Sequence, residues 1–387
     1  MVNSSTMTLI VIVMAIYFIG MIAISWMGRK YGKNFDDFIS AGRNCTTLMI
    51  IGSAVGSHIG NGYVVGGAAS GAAVGLSGAW YGIGCALSYL AVALVLNHRV
   101  YKCGYISLPE ILNARYGEKM TSVIFSVTTA LSYIANIAAQ LMAGKALFEA
   151  LGFNGTLGVW VIAVVVMAYS CISGLWGACA TSVVQVAIII VSLLATFFIV
   201  LGRGAFGLVT EAVANGLAPA SYFDMGADGI AAILITIVPI SLASLCEQCT
   251  VQRITSAKSE KTSFRALILS VVIMIPCALM PAFIGMYGYV LFGDTTNSVF
   301  FKVALDVLPS FFAALLIAAV VAAIMSTIDT MFVAFSTIIM HNIYRGMINP
   351  DASEGTLKKG DFACHLFLTV GAAVIALQFS SILDLLG

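Results

Sequence analysis

Charge is what this chain of 387 residues has least of. Only 9% of its residues are charged and 60% are hydrophobic, whereas an average soluble domain carries roughly 25% charged residues. So little charge cannot cover the surface of a soluble fold of this size, which excludes a soluble enzyme. A net charge of +1 also gives no reason to expect nucleic-acid binding or a strongly acidic partner. We therefore expect most of the chain to lie in lipid.

A disulfide framework is also lacking. The nine cysteines are odd in number, and their spacing matches no disulfide scaffold. Cys246 and Cys249 form a CxxC pair on a predicted helix. A redox or metal role for this pair stays open beside the simpler interpretation of two small residues on one helix face.

Ten apolar runs are long enough to cross a bilayer, for which a helix needs roughly 20 mostly apolar residues. The predicted spans are 7–27, 47–70, 79–98, 121–148, 156–175, 180–201, 229–250, 264–292, 310–340 and 362–385. Backbone polar groups must be satisfied inside lipid, so runs of this length predict an all-α polytopic helix bundle. We expect one transmembrane domain over 1–387, without an appended soluble domain.

The basic residues indicate the orientation. Of the 18 lysines and arginines, 15 fall in the alternate loops 28–46, 99–120, 251–265 and 341–361. Lysine and arginine favour cytoplasmic loops. This asymmetry places the N-terminus outside a plasma or inner membrane.

The second span is interrupted. It carries nine glycines between Gly52 and Gly78 and a polar insertion over 57–62 that includes His58 and Asn61. Packing of small residues against a neighbouring helix explains part of the glycine content but not the polar insertion. Glycine weakens a helix, and unwound backbone at membrane depth is tolerated where it lines a cavity or is buried in protein. We therefore predict a break near His58.

The seventh span shows a weaker interruption. Pro239 lies inside it and Glu247 stands close to its end. An ionisable group in the hydrocarbon region is a functional candidate, although Glu247 at the cytoplasmic end of the helix would simply reach water. Two interrupted helices, each opening a set of about five spans, are typical of inverted-repeat secondary transporters. The expected repeats are 46–201 and 228–387, the second one incomplete.

The ninth span offers oxygen ligands. Ala323, Ser326 and Thr327 lie one turn apart on one helix face. Two hydroxyls and a carbonyl suit a hard cation, and their neutrality suits a monovalent one. Carbonyls from an unwound second span would complete the shell. The alternative is that both hydroxyls bond back to carbonyls of their own helix.

Six segments along the chain resemble the sodium/solute symporters, the group that contains sodium-coupled sugar, proline, pantothenate and sialic-acid transporters. They are FDDFISAGR at 35–43, ISLPEILNARYG at 106–117, AAQLMAGKALFEALG at 138–152, GLWGACATSVVQ at 174–185, VQRITSAKSEKTSFRA at 251–266 and MSTIDTMFVAFSTIIMHNIYR at 325–345. The resemblance implies the five-plus-five inverted-repeat fold of leucine-type transporters with one extra N-terminal helix. It also implies sodium-coupled symport of a small organic solute by alternating access, with sodium as a transported ion and no enzymatic activity.

The resemblance also implies site residues. The shared sodium site falls on the carbonyls of Gly56, Ile59 and Ala323 and the hydroxyls of Ser326 and Thr327. The positions expected to face the solute are His58, Gly62, Tyr63, Asn136, Glu247 and Gln248.

The chain departs from the family pattern in three places. Ser182 follows Thr181 where the family usually has aspartate, which removes a carboxylate expected on the cytoplasmic exit of the ion. Asn342 stands where the family usually has aspartate in Asp-Ile-Tyr. The last core helix of the family fold is not expected within 387 residues, so a fragment or truncated product stays open.

The sequence predicts the identity of the solute less closely than the sodium site. His58 and Glu247 are the ionisable groups we place at the pocket, which favours a small amine-containing or zwitterionic organic solute. The two side chains pairing with each other, or proton carriage by Glu247, stay open. A membrane sensor or scaffold without net transport, or an inactive fragment, is the main alternative function. Intramembrane hydrolysis and a channel fit less well, because three of the four histidines lie at predicted helix ends and no filter-like ring is evident.

Overall fold

The computed structural model describes residues 4–117 and 119–378. Within these residues the secondary structure is helical, apart from one isolated bridge between Cys45 and Ala257. The α-helices are α1 (Ser4–Gly28), α2 (Phe35–Ser40), α3 (Thr47–His58), α4 (Asn61–Val74), α5 (Trp80–Ala91), α6 (Asn97–Cys103), α7 (Leu108–Tyr116), α8 (Lys119–Ala150), α9 (Gly155–Gly202), α10 (Ala205–Ala214), α11 (Gly229–Leu245), α12 (Gln248–Thr255), α13 (Glu260–Phe292), α14 (Ser298–Lys302), α15 (Ser310–Ser336) and α16 (Glu354–Gln378). A π-helical segment, Thr337–Ile348, continues α15. The all-α prediction is confirmed, and the last part of the predicted span 362–385 lies outside the described residues.

The ten predicted spans are divided differently in the structure. Seven helical segments of the described chain are long and apolar enough to cross a membrane, and the bent pair α11–α12 makes an eighth. The longest segment, α9, has 48 residues. A straight helix of that length would extend about 72 Å, more than twice the apolar core of about 30 Å. Two predicted spans, 156–175 and 180–201, therefore lie within α9.

Gly174 breaks α9 between these two spans. Its φ of 54° and ψ of −144° are not helical. A Cβ at this position would overlap the carbonyl oxygen of Phe38. Only glycine combines the left-handed φ with this close approach to the preceding loop. The chain can therefore change direction at Gly174, between the two predicted spans.

Two of the predicted cytoplasmic loops contain short helices. Loop 28–46 holds α2, which begins after Asn34, whose side chain accepts a hydrogen bond from the amide of Asp37. Loop 99–120 holds α7, which begins with a capping box between Ser107 and Glu110. The apolar runs flanking these loops mark the spans, but short amphipathic helices give no such signal.

The ninth predicted span is the centre of the bundle. In its most apolar stretch α15 is 83% buried, against 17% for α1. It packs against α9, α1, α8 and α3. A helix that is apolar on all sides belongs in the interior, and this position brings the oxygen-rich face of α15 against the interrupted second span.

Candidate functional site

The second span is broken where the glycine-rich polar insertion predicted it. Helix α3 ends at His58 and α4 begins at Asn61. Between them Ile59 has φ −77° and ψ 56°, and Gly60 is extended. The carbonyls at the end of α3 are therefore released from the regular helical ladder. The predicted break is confirmed.

Oxygen atoms from both helices meet at this break. The Ser326 hydroxyl donates to the Gly56 carbonyl at 2.7 Å and lies 3.1 Å from the Ala323 carbonyl. The Thr327 hydroxyl lies 3.0 Å from the Ala323 carbonyl and 3.3 Å from the Ser57 carbonyl. Bonding back to the own helix and facing the broken helix therefore occur together. The result is a cluster of five neutral oxygens, which we call the oxygen cluster.

Four of the five predicted sodium ligands lie in the oxygen cluster, namely Gly56, Ala323, Ser326 and Thr327. Ile59 is fully buried directly at the break, and within the described residues its carbonyl accepts no hydrogen bond. Its part in the site stays a prediction. The Ser57 carbonyl, which the sequence did not indicate, also faces Thr327.

A cavity of about 440 Å³ lies beside the oxygen cluster. Five of the predicted solute positions line it: His58, Gly62, Tyr63, Asn136 and Glu247. Gln248 does not line it, because its side chain is fully buried and its amide oxygen accepts from the Leu108 backbone amide at 2.8 Å. Ser57 and Thr327 line the cavity as well as belonging to the oxygen cluster.

One wall of the cavity is a polar stripe on α8. Its members recur every four residues and therefore share one helix face: Thr128, Ser132, Asn136 and Gln140. Gln140 reaches the break, where its side-chain oxygen lies 3.4 Å from the Asn61 amide nitrogen. Only Asn136 of these four was predicted from the sequence, although their four-residue spacing is the signal that could have indicated the others.

The seventh span is also broken, and Glu247 stands at the break. Helix α11 ends at Leu245, Glu247 is extended with φ −89° and ψ 131°, and α12 leaves at 56° to α11. The Glu247 side chain is 24% exposed, and its Oε2 accepts from Thr250 at 3.2 Å. The carboxylate therefore faces the cavity at a helix break, and not a loop beyond the end of a helix.

The prediction that 251–265 is a cytoplasmic loop is wrong at Arg253. It was counted among the cytoplasmic basic residues, but it lies in α12 and is only 1% exposed. Its guanidinium donates to Ser53 at 3.1 Å, Tyr89 at 3.1 Å and Ser57 at 2.6 Å. This position was not predictable from the sequence, because α12 continues beyond the helix break and places Arg253 inside the bundle.

His58 is held by Tyr89. The Tyr89 hydroxyl donates to the Ala54 carbonyl at 2.9 Å and accepts from Arg253. Nδ1 of His58 lies 2.7 Å from the same hydroxyl. With the single proton of the hydroxyl given to the Ala54 carbonyl, Nδ1 is the donor to Tyr89 and Nε2 is left as an acceptor. Among the described residues Nε2 has no partner, so the ring offers an acceptor at the cavity wall.

Comparison with protein families matches residues 38–386 to the Sodium:solute symporter family. The chain belongs to this family. It is therefore a multi-pass membrane transporter that couples a sodium ion to a small solute, and it is not an enzyme. Sodium is its co-transported ion and not a prosthetic group.

Individual members of the symporter family resemble the chain over most of its length. The sodium/proline symporter of Escherichia coli K12 is 24% identical over 378 residues, which cover 90% of this chain and 73% of that protein. The sodium/glucose cotransporter 1 of Oryctolagus cuniculus is 24% identical over 404 residues, covering 92% and 61%. A solved Na⁺-coupled sialic acid symporter, substrate-bound and outward-open, superposes with a TM-score of 0.84 at 17% identity and covers 96% of this chain and 82% of that one. This likeness shows the leucine-transporter type of fold.

The departure at Ser182 has a structural counterpart on α15. Asp329 is fully buried, and its Oδ2 accepts from Tyr169 at 3.0 Å and from Thr181 at 3.3 Å. Its Oδ1 and the Ser182 hydroxyl have no hydrogen-bond partner in the described part of the chain. Position 182 therefore has no carboxylate, although Asp329 of α15 places one beside Thr181. The effect of Ser182 on the cytoplasmic exit of the ion stays a prediction.

Proposed function

We propose that this symporter holds sodium on the carbonyls of Gly56, Ile59 and Ala323 and the hydroxyls of Ser326 and Thr327, with the solute in the adjacent cavity. The observation that carries the proposal is the shared wall of the two sites. Thr327 and Ser57 approach each other at 3.3 Å in the oxygen cluster, and both line the cavity. An ion that fixes these residues also fixes part of the solute pocket.

This shared wall supplies a mechanism for coupling. Sodium replaces hydrogen bonds between α15 and the broken end of α3 with ion contacts and so restricts the break. The solute then meets an ordered wall and loses less freedom on binding. Coupling between two ligands is reciprocal, so the solute tightens sodium by the same factor, commonly about 5- to 150-fold. Release of sodium to the cytoplasm frees the solute.

The cavity favours an amine-containing or zwitterionic solute. Of the residues that line it, Glu247 is the acid, and neither lysine nor arginine is among them. His58 presents the acceptor Nε2. A carboxylate and a ring acceptor both call for hydrogen-bond donors on the solute, which an ammonium group provides. The hydroxyls and amides of α8 offer partners for a polar group at its other end.

The two broken helices support the proposed repeats. The first repeat, 46–201, opens with α3 and α4, and the second, 228–387, opens with α11 and α12. In this arrangement both breaks face one cavity, as Gly60 and Glu247 do. Together with the basic loops, the arrangement supports an N-terminus outside a cell membrane.

Sodium-dependent stabilisation tests the ion site, since a ligand that binds the native state raises its apparent stability. We expect Ser326→Ala and Thr327→Ala each to raise the half-stabilising sodium concentration about tenfold, equivalent to roughly 1.4 kcal/mol. Thermal unfolding of purified protein in sodium or potassium chloride measures this. Ser270→Ala is the matched control, because this buried hydroxyl bonds only to Ala266 of its own helix. Unchanged sodium dependence in both site variants would reject the site.

Solute class is tested with the same readout. A panel of amines, amino acids and sugars is added with and without sodium to the native protein and to Glu247→Gln. We expect amine-bearing solutes to stabilise the native protein and to lose that effect in the variant. An identical ranking of solutes in the two proteins would contradict the amine assignment. Sodium-driven uptake into proteoliposomes then separates a transporter from a sensor.

A further inference from the structure

Among the arginines and lysines that the structure describes, Arg253 is the most deeply buried, and the proposed mechanism does not use it. A charge inside a membrane bundle is costly unless it is paired and hydrogen-bonded. Its three direct partners, Ser53, Ser57 and Tyr89, are neutral hydroxyls. Such a group needs a reason to be there beyond stability, since a well-packed apolar residue would serve a core at least as well.

The nearest carboxylate is at the limit of a salt bridge. Oε2 of Glu247 lies 3.9 Å from Nη1 of Arg253. The Arg253 side chain is 2% exposed, whereas Glu247 is 24% exposed and lines the cavity. The carboxylate is therefore open to a cation in the cavity on one side and to the guanidinium on the other.

The hydroxyl partners of Arg253 belong to the walls of both sites. Ser53 and Ser57 lie on α3, whose last turn contributes the Gly56 and Ser57 carbonyls to the oxygen cluster. Tyr89 lies on α5 and holds the His58 ring at the cavity. One planar guanidinium thus connects the broken end of α3, the His58 wall and the break at Glu247.

We propose that Arg253 is a positioning residue that links the occupancy of the solute cavity to the geometry of the sodium site. This inference rests on the proposed function. When Glu247 turns to a cation in the cavity, its hold on the guanidinium weakens and the bonds to Ser53 and Ser57 tighten. These bonds adjust the orientation of the end of α3, whose Gly56 and Ser57 carbonyls are already held by Ser326 and Thr327. Sodium at the oxygen cluster acts in the reverse direction, through Ser57 and Arg253, on Glu247 and the cavity.

The reactivity of the Cys246 thiol can be used to detect changes in the cavity when no solute is present. Cys246 is exposed and lines the cavity beside Glu247. In a Cys103→Ser background, which removes the other exposed thiol, the rate of alkylation by N-ethylmaleimide is measured with sodium or potassium. Thermal unfolding in the same buffers measures sodium binding independently. We expect sodium to change the alkylation rate about fivefold or more when Arg253 is present, the lower end of common coupling factors.

Arg253→Lys keeps the charge, but its one nitrogen cannot take the three separate positions of Nε, Nη1 and Nη2 from which Arg253 donates. We expect this variant to retain the sodium-induced thermal shift and to lose most of the sodium effect on Cys246. Arg265→Lys, on the exposed side of α13, is the matched control and should behave as the native protein. If Arg253→Lys does not fold, Tyr89→Phe and Ser57→Ala remove two of the acceptors singly, and each should weaken the sodium effect on Cys246.

The two readouts separate the possible failures. A native protein without a sodium-induced thermal shift would remove the proposed ion site. A native protein that shows the shift but no change at Cys246 would overturn the link, as would an Arg253→Lys variant that keeps both effects. A folded variant that loses the thermal shift itself would also overturn it, because Arg253 would then build the ion site instead of connecting it to the cavity.

Discussion

At the scale of single residues, His341 connects the short helices on the face that we assign to the cytoplasm. Its Nε2 lies 2.6 Å from Oε1 of Glu110 on α7, and its Nδ1 lies 2.6 Å from Arg345. Arg345 in turn donates to Asp36 on α2. The chain of contacts joins α2, α7 and the π-helical segment after α15.

Glu110 gives this connection a pH dependence. Partial burial opposes ionisation of the carboxyl, but the hydrogen bonds from His341 and from the amides of Ile106 and Ser107 outweigh burial and lower the pKa of Glu110. A lowered pKa stabilises the folded protein above the unfolded value of about 4.3. This contribution is lost as the pH falls through the lower folded value.

We therefore expect Glu110→Gln to be less stable than the native protein at pH 7, by about 1.5 kcal/mol for a lost charge-assisted bond. The difference should narrow below about pH 4, where the native carboxyl is also neutral. Chemical denaturation in detergent across this pH range measures it. Glu260→Gln is the control, because the His98–Glu260 pair is exposed and exposed pairs contribute little. A difference that is constant with pH would contradict the expectation.

A site residue was predictable when its partners lie close to it in sequence, and not when they lie on a distant helix. Ser326 and Thr327 were predictable because helical spacing alone puts them on one face with the Ala323 carbonyl. Arg253 was not, because its burial depends on the direction that α12 takes after the break. Asp329 was also missed, since its role depends on Thr181 reaching it from α9. Local spacing is visible in a sequence, whereas partners on distant helices are not.

At the scale of helices, breaks were easier to predict than crossings. Glycine and proline in apolar runs indicated the interruptions at Gly60 and after Pro239 because both residues weaken a helix locally. The close crossing of α4 and α13 was not predicted. A Cβ at Gly285 of α13 would overlap the carbonyl of Ala68 on α4, and one at Gly71 would overlap the carbonyl of Ala282. At each of these contacts, a glycine of one helix lies against the backbone of the other helix.

This crossing predicts that Gly285→Ala destabilises the protein by about 1–3 kcal/mol, the usual cost of overpacking a core. The added methyl group contacts backbone atoms of Ala68. These atoms cannot move away by a rotamer change, as a flexible side chain could. Gly371→Ala on α16 is the control, because a Cβ there meets nothing within 4 Å and alanine favours a helix by up to about 1 kcal/mol over glycine. Thermal unfolding compares the two. Equal stability of both variants would show that α4 and α13 are not packed this closely.

At the scale of the whole molecule, composition and hydropathy predicted the class of fold, and the family motifs predicted its topology. The number of separate helical segments was not predictable, because a 48-residue helix with an internal glycine break looks like two spans in sequence. Orientation came from the basic loops. With Arg253 buried, 14 of the 18 basic residues still fall in the four loops assigned to the cytoplasm.

The distribution of the basic residues predicts on which side of the membrane each loop lies. Cys103 is exposed at the end of α6, in the loop with Arg99 and Lys102, and should lie in the cytoplasm. In a Cys246→Ser background, a membrane-impermeant maleimide should therefore label Cys103 only after the cells are permeabilised. Glu211→Cys on the exposed part of α10, in the loop assigned to the outside, should be labelled in intact cells. Labelling of Cys103 in intact cells, with Glu211→Cys protected, would require the reverse orientation, since the predicted outside N-terminus rests on the positive-inside bias.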